Sequence, residues 1–146
     1  MELLLNNNVP AEEQVKDPVR FIGTKGYKVL VVGNSITLHA PKPEIGGTGD
    51  FGMAASCKKA DFVHRLYALC SEKKETQMCI LQASVFEKYY FLDFIFDEYR
   101  KAKDFAADCV IFRISENVAP DPERSDIFLK RYKQLVQYVS RESTKL

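Results

Sequence analysis

Three short runs along the chain are almost wholly apolar: Tyr27-Lys-Val-Leu-Val-Val32, Met78-Cys-Ile-Leu81 and Cys109-Val-Ile-Phe112. Runs of that length with little polar alternation predict strands covered on both faces, as in a parallel sheet. Between them the period changes. Residues 61–71 place Phe62, Val63, Leu66, Leu69 and Cys70 three and four apart, which predicts a helix with one buried face. Residues 86–103 lack Gly and Pro and are helical in length, with aromatics (Phe86, Tyr89, Tyr90, Phe91, Phe94, Phe96, Tyr99) nearly all round the axis. Bulky apolar side chains mostly sit inside, so this stretch reads as a helix packed in a core rather than an aromatic ligand platform. Pro120 and Pro122 bracket a turn, and residues 125–140 carry a helical stripe at Phe128, Tyr132, Leu135, Val136 and Val139.

The order is strand, long loop, helix, strand, helix, strand, helix. Alternating units of this kind build a parallel sheet with helices on both faces. Residues 1–22 read as a polar lead-in, within which Val19 to Ile22 is either a short strand or the end of an upstream segment; residues 23–146 form the domain. The Gly- and Pro-rich stretch 34–56 is a loop long enough to be functional or mobile. Doubly wound domains usually carry five or more strands, and three are counted here. The last helix ends close to Leu146, where a further strand is expected, so the domain is expected to be incomplete at its C-terminus, with an open edge that promotes self-association.

Composition narrows the classes. With 146 residues, 46% of them hydrophobic and 28% charged, the chain is of ordinary globular type. Its net charge of +1 lacks the basic excess of a nucleic-acid binder. No apolar run approaches the ~20 residues that span a bilayer, so no membrane association is expected. The N-terminus lacks a signal peptide's basic region and cleavage site, which gives a cytoplasmic expectation, with secretion open if the N-terminus is incomplete. Cys57, Cys70, Cys79 and Cys109 form no C-x-x-C pair and no Cys/His cluster, so reduced thiols and no metal or cofactor are expected.

Ligands of such sheets bind outside the carboxyl ends of the strands. Three segments lie there: Gly33-Asn-Ser-Ile-Thr37, Gln82-Ala-Ser-Val-Phe-Glu87 and Arg113-Ile-Ser-Glu-Asn-Val118. The first matches no phosphate loop. It also misses G-x-S-x-G, because Thr37 stands at the second glycine. What remains is Ser35 directly after a buried strand, able to present a hydroxyl and its own N–H or simply to cap a turn. Asn117 follows another buried strand and can offer an amide towards Ser35. A serine, its N–H and an asparagine amide are the parts of an oxyanion hole around a nucleophile. Glu87 and Glu116 read as solvated or structurally paired charges, His39 and His64 as loop and helix-surface histidines, Lys58 and Lys59 as surface residues, and Cys57 as unreactive for want of a positioned base.

Val31-Val-Gly-Asn-Ser-Ile-Thr37, Gly49-Asp-Phe-Gly-Met-Ala-Ala-Ser56 with Asp61-Phe-Val-His64, and Arg113-Ile-Ser-Glu-Asn-Val118 together resemble a branch of the SGNH (GDSL-type) hydrolases, over about residues 28–146. The resemblance implies a three-layer α/β/α, flavodoxin-like fold and hydrolysis of a small-molecule or carbohydrate ester, often an acetyl ester, without a cofactor. It implies Ser35 as nucleophile, Asn117 as oxyanion donor, and the N–H of Ala83 where the family has a glycine. Ser115 likewise stands where a glycine is expected. The family's Asp and His, carried as D-x-x-H close to the C-terminus of the domain, have no counterpart there, so the resemblance covers the N-terminal portion of such a domain. Two other classes remain in view: an inactive fragment or binding module with the same fold, and a flavodoxin-like cofactor binder, disfavoured by the missing phosphate loop.

Overall fold

The computed structural model describes Val9, Val15, Glu44 and residues 17–41, 49–92 and 96–146. The Asn triplet at 6–8, Pro10, Pro43, Gly46, Gly47 and Phe94 lie outside the described residues. Among those described, four strands form one sheet: β1 (Val19–Ile22), β2 (Tyr27–Gly33), β3 (Thr76–Gln82) and β4 (Cys109–Arg113), in the order β1-β3-β2-β4. β2 pairs in parallel with both β3 and β4, whereas β1 runs antiparallel along the outer side of β3.

The apolar runs are strands because both faces are covered. Leu30 and Val32 of β2 join Cys79, Leu81 and Val110 on one face, and Val29 and Val31 join Met78 and Ile80 on the other. The second face receives α1 (Phe62–Lys73) through Val63, Phe62 and Leu66. The first receives α4 (Ser125–Val139) through Phe128, Tyr132, Leu135 and Val139, whose spacing of three and four makes one helical stripe. On the outer side of β4, Lys145 forms a parallel bridge with Cys109, its carbonyl accepting the Val110 N–H at 2.8 Å.

Two expectations need correction. Val19–Ile22, left open between a short strand and the end of an upstream segment, is a strand, and it runs antiparallel in a sheet expected to be parallel; Val9 packs in the core beneath it. Its pairing with β3 leaves it an edge strand whose burial runs from the buried Val19 to the exposed Phe21, and such a segment lacks the continuous apolar run of the central strands. The sheet is therefore mixed rather than wholly parallel. The stretch 86–103 is not one helix: α2 (Ser84–Tyr89) ends in a turn at Tyr90–Leu92, a 3-10 turn spans Phe96–Tyr99, and α3 (Arg100–Asp104) follows. A single straight helix would turn part of an all-round aromatic surface to water. Breaking it lets Phe86, Tyr90 and Tyr99 all enter one core, with Phe128 edge-on to Tyr90 at 5.1 Å and Tyr138 stacked on Phe96 at 5.5 Å.

All four cysteines are free thiols, Cys57 exposed and Cys79 buried in the sheet. Burial pushes the Cys79 thiol up from 9.0 to about 12. A thiol that stays protonated in the fold but ionises in the unfolded chain favours folding only while both forms are protonated. Its contribution is whole below about pH 9 and is lost as the pH rises towards about 12. Thermal melts between pH 8 and 11 are expected to fall more steeply for the wild type than for Cys79→Ala. A thiol reagent at pH 8 is expected to modify Cys57 in the native protein but Cys79 only after denaturation. Rapid native labelling of Cys79 would contradict this packing.

Candidate functional site

The register brings the three segments together. Gly33 lies opposite Gln82 on one side and Arg113 on the other, so β2, β3 and β4 end in step. The residues that follow them, Asn34 and Ser35, Ala83, and Ser115 to Asn117, therefore share one carboxyl edge. The first turn of α1, with Asp61 and His64, begins at the same edge, where Phe62 lies against the Arg113 guanidinium.

Asn34 organises the turn after β2. Its carbonyl accepts the N–H groups of Thr37 (2.9 Å) and Leu38 (3.0 Å), and its Oδ1 accepts the Ile36 N–H at 3.1 Å. Thr37 is fully buried against β2: a Cβ built at Gly33 would lie 1.8 Å from its Oγ1, so the glycine is needed for close approach. Ser35 is half-buried, and its carbonyl accepts the Met53 N–H at 2.8 Å. Among the described residues no hydrogen bond engages the Ser35 N–H or its Oγ. The turn is thus held by its neighbours, and the serine's two useful groups are left uncommitted.

The centre of the site is Glu87 on α2, with 1% of its surface exposed. Its Oε1 accepts from Asn34 Nδ2 (3.4 Å) and from the Ser115 N–H, and its Oε2 from Asn117 Nδ2 at 2.6 Å. Asn34 Nδ2 also reaches Glu116 Oε2 at 2.8 Å, and Glu116 is held by Arg113 Nη1 at 2.6 Å. One buried carboxylate so ties the β2 turn to the β4 loop. Of the two alternatives read for Glu87 and Glu116, solvated or structurally paired, the structure shows pairing: Glu87 is buried among donors, and Glu116, although exposed, accepts from Asn34 and is ion-paired with Arg113. The signal available in the sequence was position, a carboxylate one turn into the helix that follows β3. Nearby, burial and then the Glu98 and Glu87 carboxylates hold the Tyr99 phenol above its ordinary value.

Ala83 is placed differently. It is buried, with φ −116°, so no glycine is required there, but its N–H donates to the Gly33 carbonyl at 2.6 Å. In this structure that donor is engaged. Ser115, by contrast, has φ +108°, in the region that favours glycine. The backbone holds that conformation to aim the Ser115 N–H at Glu87.

The histidines lie apart from one another in role. His39 Nδ1 bonds the Ala40 carbonyl at 2.6 Å on the loop surface. His64 Nδ1 lies 2.8 Å from both carboxylate oxygens of Asp61, which is buried and also caps α1 by accepting the His64 N–H. Asp61 Oδ2 further accepts the Gly52 N–H at 3.2 Å, beside the segment whose Met53 bonds Ser35. Because a carboxylate only accepts, Nδ1 carries the proton in this pair and Nε2 is the ring nitrogen turned away from it.

Two cavities open beside Asn117. One, of about 200 Å³, is lined by Glu87, Tyr90, Phe91, Asn117, Asp121 and Arg124. The other, of about 390 Å³, includes Ser115, Val118, Pro120, Phe128 and Leu129, and shares Tyr90 and Asp121 with the first. Arg124 covers the Phe91 ring at 4.1 Å. Among the described residues no group of three potential metal ligands is found, and no helix is long and apolar enough to cross a membrane.

No protein-family model, no curated protein and no solved structure matches this chain.

A non-glycine residue held at positive φ stores about 1–3 kcal/mol. Ser115→Gly is therefore expected to raise stability by about 1 kcal/mol after the entropy of the added glycine, moving Tm up by about 3 °C. A melt showing a lower Tm for Ser115→Gly would contradict the backbone conformation found at this loop.

Proposed function

We propose that this chain carries the nucleophile side of an SGNH-type serine ester hydrolase, acting on small-molecule or carbohydrate esters such as acetyl esters. The observation that carries the reading is the presentation of Ser35: its N–H and Oγ are uncommitted in a turn held by the backbone and side-chain bonds of Asn34, on the edge where the Asn117 amide is also held. The parallel order β3-β2-β4 and the helices on both faces support a flavodoxin-like arrangement. Beside Asn117 a cavity of about 200 Å³, lined by Tyr90, Phe91, Asp121 and Arg124, offers space for a small group of a substrate.

In this reading Ser35 Oγ attacks the ester carbonyl and gives its proton to a base. The tetrahedral oxyanion is stabilised by the Ser35 N–H and the Asn117 amide, and collapse expels the alcohol, which takes up the proton. Water then repeats the sequence to release the acid. Among the described residues His64 is the histidine with a buried carboxylate on Nδ1, the arrangement that keeps Nε2 free to accept a proton. A second reading, a binding module of the same fold, is favoured by one observation: neither His39 nor His64 is hydrogen-bonded to Ser35.

The test is covalent capture. A p-nitrophenyl alkylphosphonate is attacked by Oγ, forming a P–O bond to the serine and releasing p-nitrophenolate. Intact-mass measurement is expected to show one adduct, absent in Ser35→Ala, and p-nitrophenyl acetate hydrolysis above that of the same variant. Loss of both signals in His64→Ala, with its fold intact by circular dichroism, would assign the base to Asp61–His64. Absence of any adduct at Ser35 in the wild type would reject the hydrolase reading in favour of the binding module.

A further inference from the structure

We infer that Glu87 is a positioning residue of this site, whose carboxylate fixes which way the Asn117 amide faces. The inference rests on the serine-hydrolase reading, in which that amide is an oxyanion donor. Each neighbour bonded to Glu87 is a donor: Asn34 Nδ2 and the Ser115 N–H on Oε1, Asn117 Nδ2 on Oε2. A carboxylate can accept at both oxygens, whereas its isostere glutamine accepts at one end and donates at the other. The pair of donors on Oε1 would keep the glutamine oxygen, leaving its NH₂ against Asn117 Nδ2, donor facing donor. The conflict is relieved if Asn117 turns its amide over, presenting Oδ1 to the glutamine and carrying Nδ2 away from its original place.

Asn117 itself is exposed on the loop after β4, and its bond to Glu87 is the hydrogen bond found for its side chain among the described residues. An exposed amide is thereby anchored to a buried group on a helix. Burying a carboxylate among neutral donors costs stability that an apolar side chain would not, and Arg113 pairs with Glu116 rather than with Glu87. What the carboxylate supplies in exchange is a single orientation for both amides it holds. The Asn34 amide keeps the β2 turn in the shape that leaves Ser35 uncommitted, while the Asn117 amide keeps its second N–H free for a ligand.

The rate of Ser35 phosphonylation, followed by intact mass, tests this in the wild type, Asn117→Ala, Glu87→Gln and the double variant. Removing one oxyanion donor typically slows an acyl-transfer enzyme about 10²–10³-fold. Glu87→Gln is expected to slow labelling at least about tenfold, and the double variant to be no slower than Asn117→Ala alone, because Glu87 acts through Asn117. Equal slowing by Glu87→Gln in both backgrounds would reveal a general structural role and overturn the inference. So would an Asn117→Ala protein that labels as fast as the wild type, or a Glu87→Gln protein that does. A wild type that takes up no adduct at Ser35 fails the hydrolase reading itself, and this inference falls with it. Should Glu87→Gln not fold, side-chain NMR of the wild type decides. One Asn117 Nδ2 proton is expected far downfield and slow to exchange, as for a charge-assisted bond. An ordinary, rapidly exchanging pair would overturn the inference.

Discussion

The constraint on which this structure turns is that β2, β3 and β4 end at the same level, with Gly33 between Gln82 and Arg113. A parallel ladder fixes neighbours residue by residue, so a slip of one position would move every side chain to the opposite face. Here the register is locked from both sides, because Leu30 and Val32 must meet one helical layer while Val29 and Val31 meet the other. Once the strands end together, the three loops that follow them are neighbours, and their polar groups must be satisfied by one another or by water. The Ala83 N–H solves part of this by bonding the Gly33 carbonyl. Glu87 takes up three more donors, from Asn34, Ser115 and Asn117.

That solution explains the break in the aromatic segment. To bring Glu87 under the loops after β2 and β4, α2 buries Val85, Phe86 and Glu87 in succession. A long surface helix buries one stripe and cannot bury three consecutive residues. A helix of six residues, turned at Tyr90, can. The aromatics downstream then fill the same layer from a different direction, with Phe96 against both Phe86 and Tyr138. The polar network and the irregular aromatic core are two sides of one packing problem.

Much of this was legible in the sequence, for physical reasons that also mark where legibility ends. Strands covered on both faces carry continuous apolar runs, so β2, β3 and β4 are readable from composition alone, as are α1 and α4 from their stripes. β1 was legible only as one of two alternatives, since an edge strand with partly wetted residues has neither a run nor a clean alternation. The break at Tyr90 was invisible because all-round aromatic residues satisfy a helix pattern in every register. At the site, Ser35 and Asn117 stood out by lying just past buried strands. Asn34, which does the bonding that leaves Ser35 uncommitted, was passed over because its partners come from residues 53 and 82 positions away. The glycine departures divide the same way: at Ala83 the backbone has no need of glycine, whereas at Ser115 it does.

The Asp61–His64 pair has a local explanation and a longer-range consequence, and the two are compatible. Locally, Asp61 caps α1, and His64 sits three residues on, where a side chain can reach back to the cap. An ordinary cap, however, spends one carboxylate oxygen. Asp61 spends both, since Oδ2 accepts from Gly52 as well as facing the imidazole. Gly52 is packed so closely beneath Ile36 that a Cβ there would lie 2.1 Å from the Ile36 carbonyl, and the next residue, Met53, bonds Ser35. The cap of α1 is therefore continuous, through three residues, with the backbone that presents Ser35. Rotation of Asp61 to suit another partner would loosen both the imidazole and the serine turn. In this way the helix layer over Val29 and Val31 is coupled to the same edge that Glu87 organises from the opposite layer.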